Sequence, residues 1–180
     1  MSFTLRRISL LDGEAVLPLA DAKAHIVVEH EIDDALIAQL RDAAITHIEK
    51  MSGIALAPSR FRWTIPCFFS TIELPVRPAT NLEEVAFLDS QAAFISYTGA
   101  RLVENKVLPS HALGWPSSSG PIVMTFMAGL SAPDEAPDLL AAVKLLLGHL
   151  YKYREATADR AVTDIPLGVS ALIQPYRNIL

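Results

Sequence analysis

The chain has 180 residues, 51% of them apolar, and a formal net charge of −5. That length and apolar content suit one domain with a real core and exclude a disordered chain. The acidic balance excludes a nucleic-acid binder of the basic-patch kind, the single cysteine excludes an internal disulfide, and no apolar run is long enough for a transmembrane helix.

Residues 1–17 read as an extended arm or short strand. "MSFTLRRISLLDGEAV" lacks the long apolar run and cleavage site of a signal peptide. Pro18 opens a short helix at about 19–27. An acidic cluster follows, Glu29, Glu31, Asp33 and Asp34, and Asp33 is placed to cap the next helix. That helix is the clearest in the chain. Leu36, Ile37, Leu40, Ala43, Ala44, Ile48 and Met51 recur at spacings of three and four, and Gly53 closes it.

The period then changes to two. In "SRFRWTIPCFF", Phe61, Trp63, Ile65, Cys67 and Phe69 fall on one face, with Arg60, Arg62 and Thr64 on the other. Pro66 puts this strand near a sheet edge or a strand end. "TIELPV" repeats the alternation. "EEVAFLDSQAAFISY" predicts a hairpin turning at Asp89-Ser90-Gln91. A loop rich in proline, glycine and serine spans 108–121. An apolar strand follows at about 122–127.

The segment "DLLAAVKLLLGHLYKYREA" predicts a helix over 138–156. Lys144 is its one charge between Leu139 and Leu147. A helix apolar nearly all round needs cover on more than one side, and a neighbouring subunit is the expected second cover. Tyr151 continues the apolar stripe, which turns Tyr153 toward solvent or a partner. The chain closes on "IPLGVSALIQPYRNIL", sixteen mostly apolar residues with one charge, Arg177.

No catalytic constellation stands out. His25, His30, His47, His111 and His149 form no HExxH pair and no zinc-spaced cluster. "SSSG" at 117–120 is neither a P-loop nor a nucleophile elbow. Cys67 reads as a small core residue. An enzyme would have only Ser110, His111 and Ser117–Ser119 to work with, and no base–orienter pair is visible beside them. Trp115, between Gly114 and Pro116, suits either a contact anchor or a lid folded over the core.

The pieces "LPLADAKAHIVVEHEIDDALIAQL", "FRWTIPCFF", "IVMTFMAGL", "APDLLAAVKLLLGHLYKYREA" and "ALIQPYR" form a recognisable set. From about Leu17 to Arg177 the chain resembles the head–tail connector, or adaptor, family of long-tailed phages, prophages and phage-like gene transfer particles. It departs from the family at an uncapped first helix and at the irregular 108–121 loop. The resemblance implies an α+β fold: two N-terminal helices and one long C-terminal helix, with a small antiparallel β block inserted at about 59–127. It implies a single connector domain over 1–164 and an extended partner-docking arm over 165–180.

The family's function is structural, without enzymatic activity, cofactor, metal or membrane. Such adaptors are made in the bacterial host cytoplasm. In the virion neck they form a ring, commonly of twelve copies, below the portal protein. The ring extends the DNA channel and docks the stopper and tail, and DNA passes without specific binding. The resemblance places portal docking on the arm, at Ile165, Leu167, Leu172, Ile173, Pro175, Tyr176, Arg177, Ile179 and Leu180. Pro166 and Pro175 would stiffen it and lower the entropy lost on docking. Candidate subunit contacts are Trp115 and Tyr153. Glu29, Glu31, Asp33 and Asp34 could line the channel or simply cap a helix. The rivals are a stopper or tail-completion protein of the same neck, a small α+β enzyme, and a generic oligomeric scaffold.

Overall fold

The alternation over Ser59–Ile65 makes a strand with Phe61 and Ile65 buried and both arginines exposed. The structure, a computed structural model, describes residues 3–91, 93–110, 114–153 and 167–177. It divides into two compact units. One comprises Met1–Leu10 and Pro58–Leu130, the other Leu11–Ala57 and Ser131–Leu180.

The first unit holds the strands, β1 (Thr4–Arg7), β2 (Ser59–Ile65), β3 (Ile72–Glu73), β4 (Ala79–Leu88), β5 (Phe94–Ser96), β6 (Ala100–Val103), β7 (Lys106–Pro109) and β8 (Ile122–Ala128). They form a five-stranded antiparallel sheet, β1-β2-β8-β4-β5, and a three-stranded one, β3-β7-β6. β8 is central, with buried residues on both faces. Ile122, Met124, Phe126 and Ala128 are fully buried, and Thr125 is buried on the other side. The hairpin between β4 and β5 turns where the sequence indicates. Asp89 Oδ1 accepts hydrogen bonds from the Gln91 and Ala93 amides.

Two expectations fail here. Pro66 ends β2, so the alternation stops with it. Cys67 and Phe69 are therefore exposed and not part of the core. The β6–β7 hairpin has no counterpart in the sequence reading, which starts a loop at 108. Its turn needs Glu104 at φ 54°. The Asn105 side chain holds the turn by donating to the Leu74 carbonyl and accepting from the Ala79 amide.

The second unit is helical, with α1 (Gly13–Val16), α2 (Leu19–Ile26), α3 (Asp34–Ser52), α4 (Pro137–Lys152) and α5 (Leu167–Ile173). α1 lies inside the stretch expected to be extended. Asp12 caps it by accepting from the Ala15 amide. Gly13 leaves room there for the Asp42 carboxylate and the Arg41 guanidinium, which an added Cβ would displace. Arg41 is buried. Its Nη1 donates to Glu14 Oε2 at 2.6 Å and to the Leu17 carbonyl at 3.1 Å, and its Nε donates to Asp42 Oδ1 at 2.9 Å. α3 buries Ile37, Ala44, Ile45 and Ile48 and ends at Gly53, whose φ of 70° favours glycine.

α4 buries Leu139, Ala142, Val143, Leu146 and Leu147, and it packs against α2, α3 and α5. Part of the second cover expected from a neighbouring subunit thus comes from the same chain. α5 also corrects the extended arm. Leu167–Ile173 is a helix, followed by a 3-10 turn at Gln174–Tyr176, and Val169 and Ile173 are fully buried. Spaced four apart, these two residues reach the same side of a helix. The helix pairs its own backbone groups, which an isolated extended segment could not do against an apolar surface.

Candidate interaction surfaces

Among the arm residues, burial separates two roles. Ile173 joins the core of the helical unit. Leu167 is 88% exposed, Pro175 and Arg177 are exposed, and Leu172 and Tyr176 are half-buried. Leu145 of α4, 44% exposed, extends the apolar surface beside Gly168, where an added methyl would lie 3.8 Å from Leu145 Cδ1. Ile165, Pro166, Ile179 and Leu180 lie outside the described residues.

The acidic residues part in the same way. Asp33 stands at the N-cap of α3 but makes no side-chain cap hydrogen bond. Its Oδ2 instead accepts from the Tyr151 hydroxyl at 2.7 Å, tying α3 to α4. Asp34 bridges to Lys23 of α2 at 2.6 Å. Glu29 and Glu31 are exposed. The turn that carries them also shows Val27 and Ile32 to solvent, Val27 with a left-handed φ of 57° that a β-branched residue rarely adopts.

Trp115 folds back within the strand unit. Its ring stacks on Phe68 with centroids 4.6 Å apart and 9° between planes, and Tyr97 lies 5.7 Å away. The Tyr97 hydroxyl donates to the Gly114 carbonyl at 2.7 Å and pins the loop. Trp115 Nε1 is buried without a hydrogen-bond partner. Tyr153 is exposed at the end of α4, with His149 beside it at 4.9 Å and Lys152 Nζ over its ring.

Two of the loop serines, Ser118 and Ser119, serve the loop's own structure. The Ser118 hydroxyl, with one proton to give, lies within hydrogen-bond reach of the carbonyls of Leu88 and Gly120, and the Ser119 hydroxyl within reach of those of Leu88 and Asp89. His111 lies outside the described residues. Among the described residues no group of three or more His, Cys, Asp or Glu side chains could hold a metal ion. No helix among them is long and apolar enough to cross a membrane. The hydrogen bond from Arg41, helped by the Leu19 amide, holds the Glu14 carboxyl below its ordinary value.

No protein-family model matches the chain, and no curated protein sequence matches it. Solved structures do. A chain from the neck of an empty gene transfer agent particle, computed with C6 symmetry, superposes with a TM-score of 0.80 at 26% identity. The match covers 98% of this chain and 96% of that one. A chain from the neck of the native particle, computed with C12 symmetry, gives 0.78 at 25% identity with the same coverage. A chain from the virion of the native particle gives 0.77 at 25% identity, again with 98% and 96% covered. The chain has the fold of a gene transfer agent neck protein. The resemblance to neck connectors holds in three dimensions, and the neck-type fold spans both units.

On this neck-type fold the sequence reading passes over one pair of surfaces. Among the described residues the five-stranded sheet is open at both ends, at β1 and at β5. Phe3, Leu5, Phe94 and Ile95 are exposed there. The period-two signal that marks a strand does not say which strand will lie at an edge.

Proposed function

We propose that this chain is a structural, non-enzymatic component of the neck of a phage-like particle, the adaptor that forms a ring below the portal, extends the DNA channel and docks the tail. The observation that carries this is the end-to-end match to a neck chain, 98% of one and 96% of the other. A shared module would cover only part of each. The C6 and C12 symmetries of the matching necks support a ring of copies, with twelve as the expected number.

Within that ring the outward side of α5 and the turn after it, with Leu167, Pro175 and Arg177, is the portal-docking surface. Val169 and Ile173 act from beneath by holding it in place. Leu172 and Tyr176, half-buried, flank it. Glu29 and Glu31 are the carboxylates available to line the channel, where they would repel DNA phosphates weakly and let the duplex slide. Asp33 and Asp34 serve the helical unit's own packing. Tyr153 remains a candidate subunit contact. Trp115 shapes the loop that would present one.

The test is co-sedimentation with particles in a producing cell. Truncation before α5 is a poor perturbation, since it strips Val169 and Ile173 from the core. The useful variant is Leu167→Asp with Arg177→Glu, both on exposed positions. Wild-type chain in the particle fraction with the variant left soluble supports the adaptor and its docking surface. Wild-type chain absent from particles refutes the assignment. Tailless, portal-bearing heads separate the adaptor from the stopper. An adaptor binds them directly, and a stopper binds only after another ring is in place.

A further inference from the structure

We propose that the ring closes through the strand unit, with β1 of one copy pairing in parallel with β5 of the next, Leu5 opposite Ile95. This rests on the ring assignment above and adds the surface and register by which copies join.

Both edges of the five-stranded sheet lack a neighbouring strand among the described residues. Their free backbone groups can be assigned. The Ile8 amide donates to the Arg60 carbonyl, so Thr4, Arg6 and Ile8 turn their backbone toward β2, and Leu5 turns its own outward. The Tyr97 amide donates to the Val85 carbonyl, so Ile95 faces β4, and Phe94 and Ser96 face outward. An open edge invites another strand, and natural edges are guarded with lysine, proline or an inward charge. β5 is Phe94-Ile95-Ser96 and has none of these. Phe94 is 59% exposed and Ile95 44%, while on β1 Leu5 is 41% exposed.

The direction of pairing follows from the topology. Four antiparallel steps separate β1 from β5, so the two run the same way. A two-fold dimer would join like edges antiparallel. Joining unlike edges is heterologous, its strands are parallel, and it makes a ring when the rotation between copies closes, as the symmetry of the proposed ring requires.

The side chains agree with this register. Leu5 pairs with Trp63, Trp63 with Met124, and Met124 with Val85. Ile95 pairs with Phe87, two residues along from Val85. Directly paired residues share a face, so Leu5 and Ile95 lie on the same apolar face at opposite edges. With Leu5 opposite Ile95, the Leu5 amide meets the Phe94 carbonyl and the Ser96 amide meets the Leu5 carbonyl. The other face brings opposite charges together. Arg6, Arg62, Thr125 and Glu84 share it, and the Ser96 hydroxyl donates to Glu84 Oε1 at 3.0 Å. Arg6, exposed on β1, arrives opposite Ser96 and within reach of that carboxylate.

The test is cross-linking in particles, in a Cys67→Ser background, with Leu5→Cys and Ile95→Cys on one chain. Adjacent strands lie about 4.8 Å apart, within the span a disulfide bridges. Oxidation should give a ladder extending beyond the dimer, while each single variant, whose cysteine has no partner cysteine across the seam, stays monomeric. Arg6→Glu should lower incorporation roughly tenfold, and adding Glu84→Arg should restore it. Particles that contain the double-cysteine chain but yield no ladder overturn the edge pairing and leave the neck assignment standing. A dominant dimer from Leu5→Cys alone also overturns it, because that marks a two-fold β1–β1 contact. Wild-type chain absent from particles overturns both.

Discussion

Replacing Ile173 by alanine tests whether the C-terminal segment belongs to the core or hangs free for a partner. Ile173 is fully buried in α5, and Val169, one turn earlier, is its only fully buried companion on that helix. Truncating a buried isoleucine to alanine costs about 2–5 kcal/mol, depending on how far the site collapses. α5 is short and lies at the chain's end, where some collapse is available, so about 3 kcal/mol is expected. In a chain of 180 residues that lowers Tm by about 6–12 °C. Calorimetry reads the shift, and hydrogen exchange should show faster exchange across 167–173. Leu167→Asp is the control. Leu167 is 88% exposed, so its loss should change stability by no more than about 0.5 kcal/mol. Ile173→Ala should thus weaken the fold, and Leu167→Asp should weaken only docking. An unchanged Tm for Ile173→Ala would refute the account, since it would mean α5 is undocked in the free protein and the arm is extended after all.

Trp115→Ala should cost about 1–2 kcal/mol through loss of the stack on Phe68, read as a lower denaturation midpoint. Trp115→Phe should be close to neutral, since it keeps a ring and deletes a buried N–H that has no partner. The Glu14 carboxyl titrates below its ordinary value of 4.5 because Arg41 and the Leu19 amide favour its charged form. Its contribution is therefore complete above that value and lost as pH falls through the lower folded-state value. Acid titration of stability should show this, and Glu14→Gln should flatten that limb of the profile. Glu29→Gln with Glu31→Gln should leave Tm unchanged, both being exposed, and should slow DNA ejection if they line the channel. Normal ejection would count against the lining.

Local pattern was enough for much of this protein. The three-and-four spacing from Leu36 to Met51, closed by Gly53, specifies α3. The apolar run of β8 and the Asp89 turn specify a buried strand and a hairpin. The α+β order, and with it the likeness to neck connectors, is legible because each such signal lies within a few residues of its own cause. The misses divide between a local stop and contacts with residues far away in sequence. Cys67 and Phe69 keep the alternating pattern, but no strand pairs with them once Pro66 ends β2, so they face water. Asp33 has the right residue type to cap α3, but a tyrosine 118 residues onward takes its carboxylate. α1 is held in place by Arg41, 27 residues onward, which donates to Glu14. The last segment has an apolar composition that fits a partner's surface or its own core equally well. Composition states how much apolar area must be covered. Only the tertiary structure decides what covers it, because that depends on which surfaces the folded chain brings within contact distance. Here α5 packs on α4 with Val169 and Ile173 buried, while among the described residues Leu167 and the two sheet edges are left open.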